Sequence, residues 1–263
     1  MQSLRRENID KYYQREGESA GTLQVINQFI ANQLAIEYPN YFDYHHSYGV
    51  SQLNNYLREK TICWNTDQKL LEASEYLSVF DALADQIPED LAVWQLSDQG
   101  DYLSTVHLCA PSHWAPTEKV GKPFSMVHEP VAGMDKLRKN YQPMLSSLLQ
   151  PKTWVRFAWG LSTDDRLNHH PEPPLDQNKK NRRGRSFYPI DPTLFVRVER
   201  QTLTGFPEVN AVLFTIRTYF MDVKGLITSE RQALADVLDS MSEATLRYKG
   251  LLIDKAKIIK WLS

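Results

Sequence analysis

The stretch that decides the fold runs from Leu194 to Val223, "LFVRVERQTLTGFPEVNAVLFTIRTYFMDV". It reads as two long strands, "LFVRVERQTL" and "NAVLFTIRTYFMDV". β-Branched and aromatic residues dominate each run, and "TGFPEV" supplies turn residues between them. Alternation along the first strand puts Val196, Val198 and Arg200 on one face and Arg197, Glu199 and Gln201 on the other. Along the second, Phe214, Ile216 and Phe220 share a face opposite Thr215, Arg217 and Tyr219. If the strands are neighbours, this predicts a sheet face that carries Arg197, Glu199, Gln201, Arg217 and Tyr219 together. Such a face has two readings. It is a solvated sheet surface laced with ion pairs, or the floor of a polar pocket where an arginine and a carboxylate orient a small charged ligand.

Upstream, "DLAVWQL" and "YLSTVHLCA" flank the turn signal "SDQGD" and read as a hairpin. A rigid segment, "PSHW" through "HEPV", follows, then a helix predicted from about Met134 to Leu149 and a strand at "TWVRFAWGLS". Residues 168–192 form a polar, proline-rich loop with a basic run, Lys179, Lys180, Arg182, Arg183 and Arg185. That run is either a mobile solvated insertion or a docking patch for an acidic partner. Residues 1–87 read as a mainly helical region packed on a core spanning 88–263. "GTLQVINQFIANQLAIEY" has Leu23, Ile26, Phe29, Ile30 and Leu34 at helical spacing. "TDQKLLEASEYLSVFDALADQI" continues the pattern with Thr66 as N-cap. "YPNYFDYHHSYGVSQLNNYL" between them reads as irregular. Downstream, an amphipathic helix at about Ser229 to Asp239 precedes a further helical stretch, "SEATLRYKGLLIDKAKIIKWL". Helices followed by antiparallel strands with inserted helices give an α+β class.

The chain has 263 residues and a formal charge of −2, which argues against nucleic-acid binding. Cys63 and Cys109 are the only cysteines, too few for a disulfide framework, a four-cysteine zinc site or an iron–sulfur cluster. The polar start lacks the apolar core of a secretory signal. No apolar run approaches the about 18 residues of a membrane span, so the expectation is a cytoplasmic chain. No HExxH, GxSxG, Walker or GxGxxG pattern occurs. Among the histidines, the pairs His45–His46 and His169–His170 read as surface loop residues, and His107 as a core or cross-strand residue. His128, in "KVGKPFSMVHEPVAG", is either structural or a ligand-holding residue.

Several runs together resemble one family. They are "CAPSHWAPTEKVGKPFSMVHEPV", "WVRFAWGLSTDDRL", "LFVRVERQTLTGFPEVNAVLFTIRTYF" and "YKGL", in this order, within about residues 90 to 250. They resemble the haem-dependent oxidative N-demethylases, α-subunit type. The resemblance implies a PAS-like antiparallel sheet with helices packed on it and haem b held between them. It also implies oxidation of a small secondary amine with O2 and with electrons from a separate flavin and iron–sulfur reductase. This chain has neither the cysteines for a cluster nor a dinucleotide fingerprint, so the resemblance assigns it the haem-binding role.

Carried over by position, His128 in "VHEPVA" is the implied iron ligand, with a thiolate of Cys109 as the rival. Lys119, Arg156 and Arg200 are implied contacts of the haem. Glu199, Arg197, Arg217 and Tyr219 are the implied distal and catalytic residues, and Tyr248 and Lys249 complete the match. This chain departs from the family pattern in carrying Ala158 where asparagine is common. It also lacks the proline after "RTY", has "PVAG" for "PVPG", and lacks the arginine common after "TL". These departures fall in the site elements and leave the substrate open. The alternative to an enzyme is a haem-PAS module that senses gas or redox state.

Overall fold

The computed structural model describes residues 7–17, 19–72, 75–98, 100–173 and 184–263. Lys179, Lys180, Arg182 and Arg183 lie outside the described residues. Strand β1 (Tyr13–Arg15) is followed by helix α1 (Ala20–Glu37) and by strands β2 (Phe42–Ser47), β3 (Val50–Asn55) and β4 (Lys60–Asn65). After the short helix α2 (Val79–Ala84) come β5 (Asp90–Ser97), β6 (Gly100–His107) and three short helices, α3 (Phe124–Val127), α4 (Asp135–Lys139) and α5 (Gln142–Leu148). Then follow β7 (Thr153–Ser162), β8 (Phe195–Phe206), β9 (Ala211–Asp222) and helices α6 (Thr228–Ser240), α7 (Glu243–Tyr248) and α8 (Lys255–Leu262). The α+β class is what the structure shows.

The main sheet has six antiparallel strands in the order β1-β6-β5-β9-β8-β7, and a separate three-stranded sheet has the order β2-β3-β4. The mainly helical reading of residues 1–87 is therefore corrected. Residues 42–65 are a strand meander, and β1 joins the main sheet by pairing with β6. The predicted helix from Thr66 does not form; Leu70 bridges back to Trp64 instead, and only Val79–Ala84 is helical, capped by the Ser78 hydroxyl. The predicted helix at 134–149 breaks into α4 and α5, with Pro143 in the first turn of α5, where its missing N–H costs no helical bond. The C-terminal stretch divides at Gly250, whose φ of 71° ends α7, and the amide of Leu251 reaches back to the Leu246 carbonyl at 2.8 Å.

Each sheet face is covered differently. α1, α2 and the small sheet bury Leu91, Val93 and Leu213 on one face. α3, α5 and their neighbours cover Ala92, Trp94 and Val212 on the other. The C-terminal helices pack on Leu161 and Val196, at the far end of β7 and β8. A hollow lies over the β7–β8 end of the sheet, lined from the α3 side by Val127 and Met134 and from α7 by Thr245 and Tyr248.

Gly205, in β8, marks a tight approach to the chain that follows α5. A methyl at this position would overlap the carbonyl oxygens of Leu148 and Gln150, which are backbone atoms at the end of α5 and cannot swing aside. Gly205→Ala is expected to cost about 1–3 kcal/mol through overpacking, read as a lower urea midpoint with an unchanged m value.

Candidate active site

The hollow is a cavity of about 710 Å³, inside the range of roughly 300–1,000 Å³ for small-molecule and cofactor sites. Its floor is the face of β7, β8 and β9 that turns away from α1. Paired residues across β8 and β9 are Arg197 with Phe220, Glu199 with Thr218, and Gln201 with Ile216. Across β7 and β8 they are Gly160 with Arg197, Ala158 with Glu199, and Arg156 with Gln201. Directly paired residues share a face, so the floor joins a polar row from β8 to an apolar row, Phe214, Ile216 and Phe220, from β9.

This corrects the predicted face. The connection through Pro207–Val209 and Asn210 pairs Phe206 with Ala211, so every odd-numbered residue of β8 stands beside an even-numbered residue of β9. Arg217 and Tyr219 therefore lie on the opposite face, where Arg217 is paired with Arg200 and Tyr219 with Val198. Arg200, Arg217 and Tyr219 do not line the cavity. Alternation fixed the set within each strand, but the phase between strands is set by the register of the connection.

The polar row is continuous. Arg156 Nε donates to Gln201 Oε1 at 2.6 Å, and Gln201 Nε2 donates to Glu199 Oε2 at 3.0 Å. Glu199 Oε1 lies 3.5 Å from Arg197 Nη2, which in turn donates to the Ala110 carbonyl at 2.9 Å and to Thr218 Oγ1 at 3.0 Å. Beside Arg197, Asp90 Oδ1 accepts from the amides of Cys109 and Ala110 at 2.6 and 2.7 Å. Burial raises the Asp90 carboxyl to about 7 against the pull of those amides and of Arg197.

At one end of the cavity stands His128, just after α3. Its Nδ1 is 3.0 Å from the Phe124 carbonyl oxygen. A carbonyl only accepts, so Nδ1 carries the hydrogen and Nε2 keeps the lone pair. The ring stacks on Phe124 at 3.9 Å between centroids and lies 6.3 Å from Trp94. Burial, opposed by the hydrogen bond to Phe124 and reinforced by Lys119 and Arg156, lowers its pKa to about 4. His128 is thus a neutral imidazole at neutral pH, oriented from behind by a backbone carbonyl. That is the donor expected of a metal-binding histidine. Lys119 borders it, with Nζ 3.3 Å from the Val127 carbonyl and 4.8 Å from the Trp114 ring centre, and burial lowers its pKa. Cys109 is not in the lining; its buried thiol lies 3.5 Å from the Ile87 carbonyl, and desolvation pushes its pKa up, so the rival thiolate reading loses its support.

The other end is built by residues that sequence reasoning largely missed. His169, read as a surface residue, is 3% exposed, and its Nε2 lies 2.8 Å from Asp164 Oδ1. His113 has a φ of 63° and stacks on His169 at 5.1 Å. Burial, with Arg185 as the next cause, pushes the His113 pKa down to about 3. Arg185, the described member of the basic run, lines the cavity together with Tyr248 and Lys249. The turn at Gly250 explains the placing of these last two, because it ends α7 just as the helix reaches the cavity. The "PSHW" run carried a signal for His113, but nothing in "NHHPEPP" distinguishes a buried His169 from a solvated one. His45 and His46 are exposed, as their surface reading expects, but they lie in strand β2 and not in a loop.

This geometry is that of a small-molecule or cofactor site. The neutral imidazole, the apolar walls of Trp94, Val127, Phe214 and Ile216, and the cations Lys119 and Arg156 fit a haem with its ring and propionates. The family model for haem-dependent oxidative N-demethylase, alpha subunit-like proteins matches residues 2–259. The chain belongs to that family. Membership implies a haem-dependent oxidoreductase activity of the oxidative N-demethylase type, acting on a small molecule. No helix among the described residues is long and apolar enough to cross a membrane.

Proposed function

We propose that this chain is the haem-binding, PAS-like oxygenase component of a demethylase that removes a methyl group from a small amine. His128 Nε2 would hold the haem iron, and Lys119 and Arg156 would pair with the propionates. The observation that carries this reading is the Nδ1 contact with the Phe124 carbonyl, which leaves the lone pair on Nε2 in a residue that lines the cavity. Haem b would supply O2 binding and activation. The net reaction takes up the methylamine, O2, two electrons and two protons, and releases the demethylated amine, formaldehyde and water. As the family resemblance implies, the electrons would come from a separate flavin and iron–sulfur reductase; Cys63 and Cys109 are too few for a cluster.

Glu199 has the chemistry to receive the ammonium form of the amine. Its carboxylate is held by Gln201 from one side and faces Ala158, a small residue, across β7. A carboxylate so fixed can orient the nitrogen and accept its proton when the reacting form requires a free amine. Arg200, Arg217 and Tyr219, on the other sheet face, have no part in this proposal.

The test is an absorbance spectrum of the purified protein, oxidised and then reduced under CO. A Soret band that shifts with CO is the expected result. A colourless preparation that takes up no added haem would sink the reading.

A further inference from the structure

Arg197 is a buried charge in the cavity that is only partly satisfied. It is 6% exposed and lines the cavity, yet Nε and Nη1 are buried with no hydrogen-bond partner among the described residues. Nη2 alone holds the guanidinium, donating to Ala110 and Thr218 and lying 3.5 Å from Glu199 Oε1. A guanidinium offers five N–H groups in a fixed fork, and those on Nε and Nη1 are left without an acceptor. Leaving them so costs free energy unless a ligand supplies oxygens.

The space beside Arg197 is also open. Gly160 on β7 stands directly across from it, and a Cβ built on Gly160 meets no atom of the described residues within 4 Å. Arg185 and Lys249 add positive charge to the same lining. The cations of the cavity divide between its two ends. Lys119 and Arg156 act on His128, whereas Arg185 and Arg197 act on His113. The first pair is placed for groups attached to whatever His128 holds. The second pair is at the far end.

We propose that Arg197 is a carboxylate subsite, and that the substrate is an amine carrying its own carboxylate, an N-methyl amino acid, rather than a simple alkylamine. This rests on the function proposed above. Glu199 and Arg197, alternate residues of β8, take the ammonium and the carboxylate of the same molecule, and their shared face sets the spacing of the two charges. A haem propionate has the same carboxylate chemistry and is the competing source.

The test titrates haem-loaded protein with dimethylamine, N-methylglycine and acetate, following the Soret band. Wild type, Arg197→Lys and Gly160→Val are compared. The proposal expects N-methylglycine to bind at least about ten-fold more tightly than dimethylamine, the scale of a buried charge-assisted contact. Arg197→Lys keeps the charge without the fork and should remove most of that preference. Gly160→Val fills the open space beside Arg197, and should weaken N-methylglycine more than dimethylamine.

Equal affinity for the two amines in wild type overturns the substrate assignment, and needs no variant to fold. If Arg197→Lys instead speeds haem loss to apomyoglobin, the carboxylate on Arg197 is a propionate and the substrate assignment falls. Should the protein bind no haem at all, the proposed function fails. Calorimetric titration of that haem-free protein with N-methylglycine, wild type against Arg197→Lys, then decides the subsite on its own.

Discussion

His128→Ala protein is expected to come off the column with little or no haem and, when reconstituted, to show a Soret band unlike that of wild type. The expectation follows from what surrounds the ring. The Nδ1–H is held by the Phe124 carbonyl at 3.0 Å, and the ring is stacked on Phe124 and set near Trp94, so Nε2 is presented in one orientation. Loss of an outer partner of a metal-bound histidine typically costs about 10–100-fold in metal affinity, and removing the ligand itself should cost at least as much. The measurement is haem content by pyridine haemochrome, with the rate of haem transfer to apomyoglobin as a second readout. Imidazole added to the reconstituted variant should restore much of the wild-type spectrum, because the space vacated by the ring is the space the free base needs. A variant that retains haem with an unchanged spectrum would show that His128 is structural and would move the ligand to His113 or His169 at the other end.

The way this site was legible in part shows what a sequence can and cannot carry. The two strands of 194–223 were readable because alternation is a property of each strand alone, and Arg197, Glu199 and Gln201 do share a face in the structure. The partnership of that row with Arg217 and Tyr219 was not readable. It depends on whether the connection pairs odd with odd or odd with even residues, and one residue more or fewer would reverse it. The small sheet was missed for a different reason. Its strands are rich in Asp, His, Ser, Asn and Gln, and the turn between β2 and β3 is signalled only by Tyr48 and Gly49, which adopt φ values of 50° and 76°. Two central residues with positive φ make the tight hairpin turn that matches strand twist, and glycine at the second was the available clue. His169 and Arg185 reach the cavity from the long loop around 168–192, and loop residues have no period from which to read burial. The Ser112 to His169 bridge that carries one of them inward is a long-range contact.

Asp81→Leu should destabilise the fold more than any surface change, by about 3–5 kcal/mol, because it strands the other half of a buried pair. Asp81 Oδ1 lies 3.0 Å from His107 Nε2, and both side chains are 0% exposed. Its other oxygen accepts from the Leu77 amide at 2.8 Å, which fixes the chain as it enters α2. The sequence marked His107 as a core or cross-strand residue, and the structure supplies the partner that makes such burial tolerable. The pair ties α2 to β6, and β6 is the strand against which β5 aligns Asp90, Ala92 and Trp94 for the cavity. Urea unfolding of the single variant should show a lower midpoint at unchanged m. The double variant Asp81→Leu/His107→Leu should recover a large part of the loss, since an apolar pair of similar volume leaves no buried charge without its partner. It should fall short of wild type by roughly 1–3 kcal/mol, the cost of the Leu77 amide left without its acceptor. A double variant no better than the single would mean that Asp81 acts mainly through Leu77, as a cap for α2, and not through His107. Haem content per folded molecule should be unchanged in both variants, because neither residue lines the cavity.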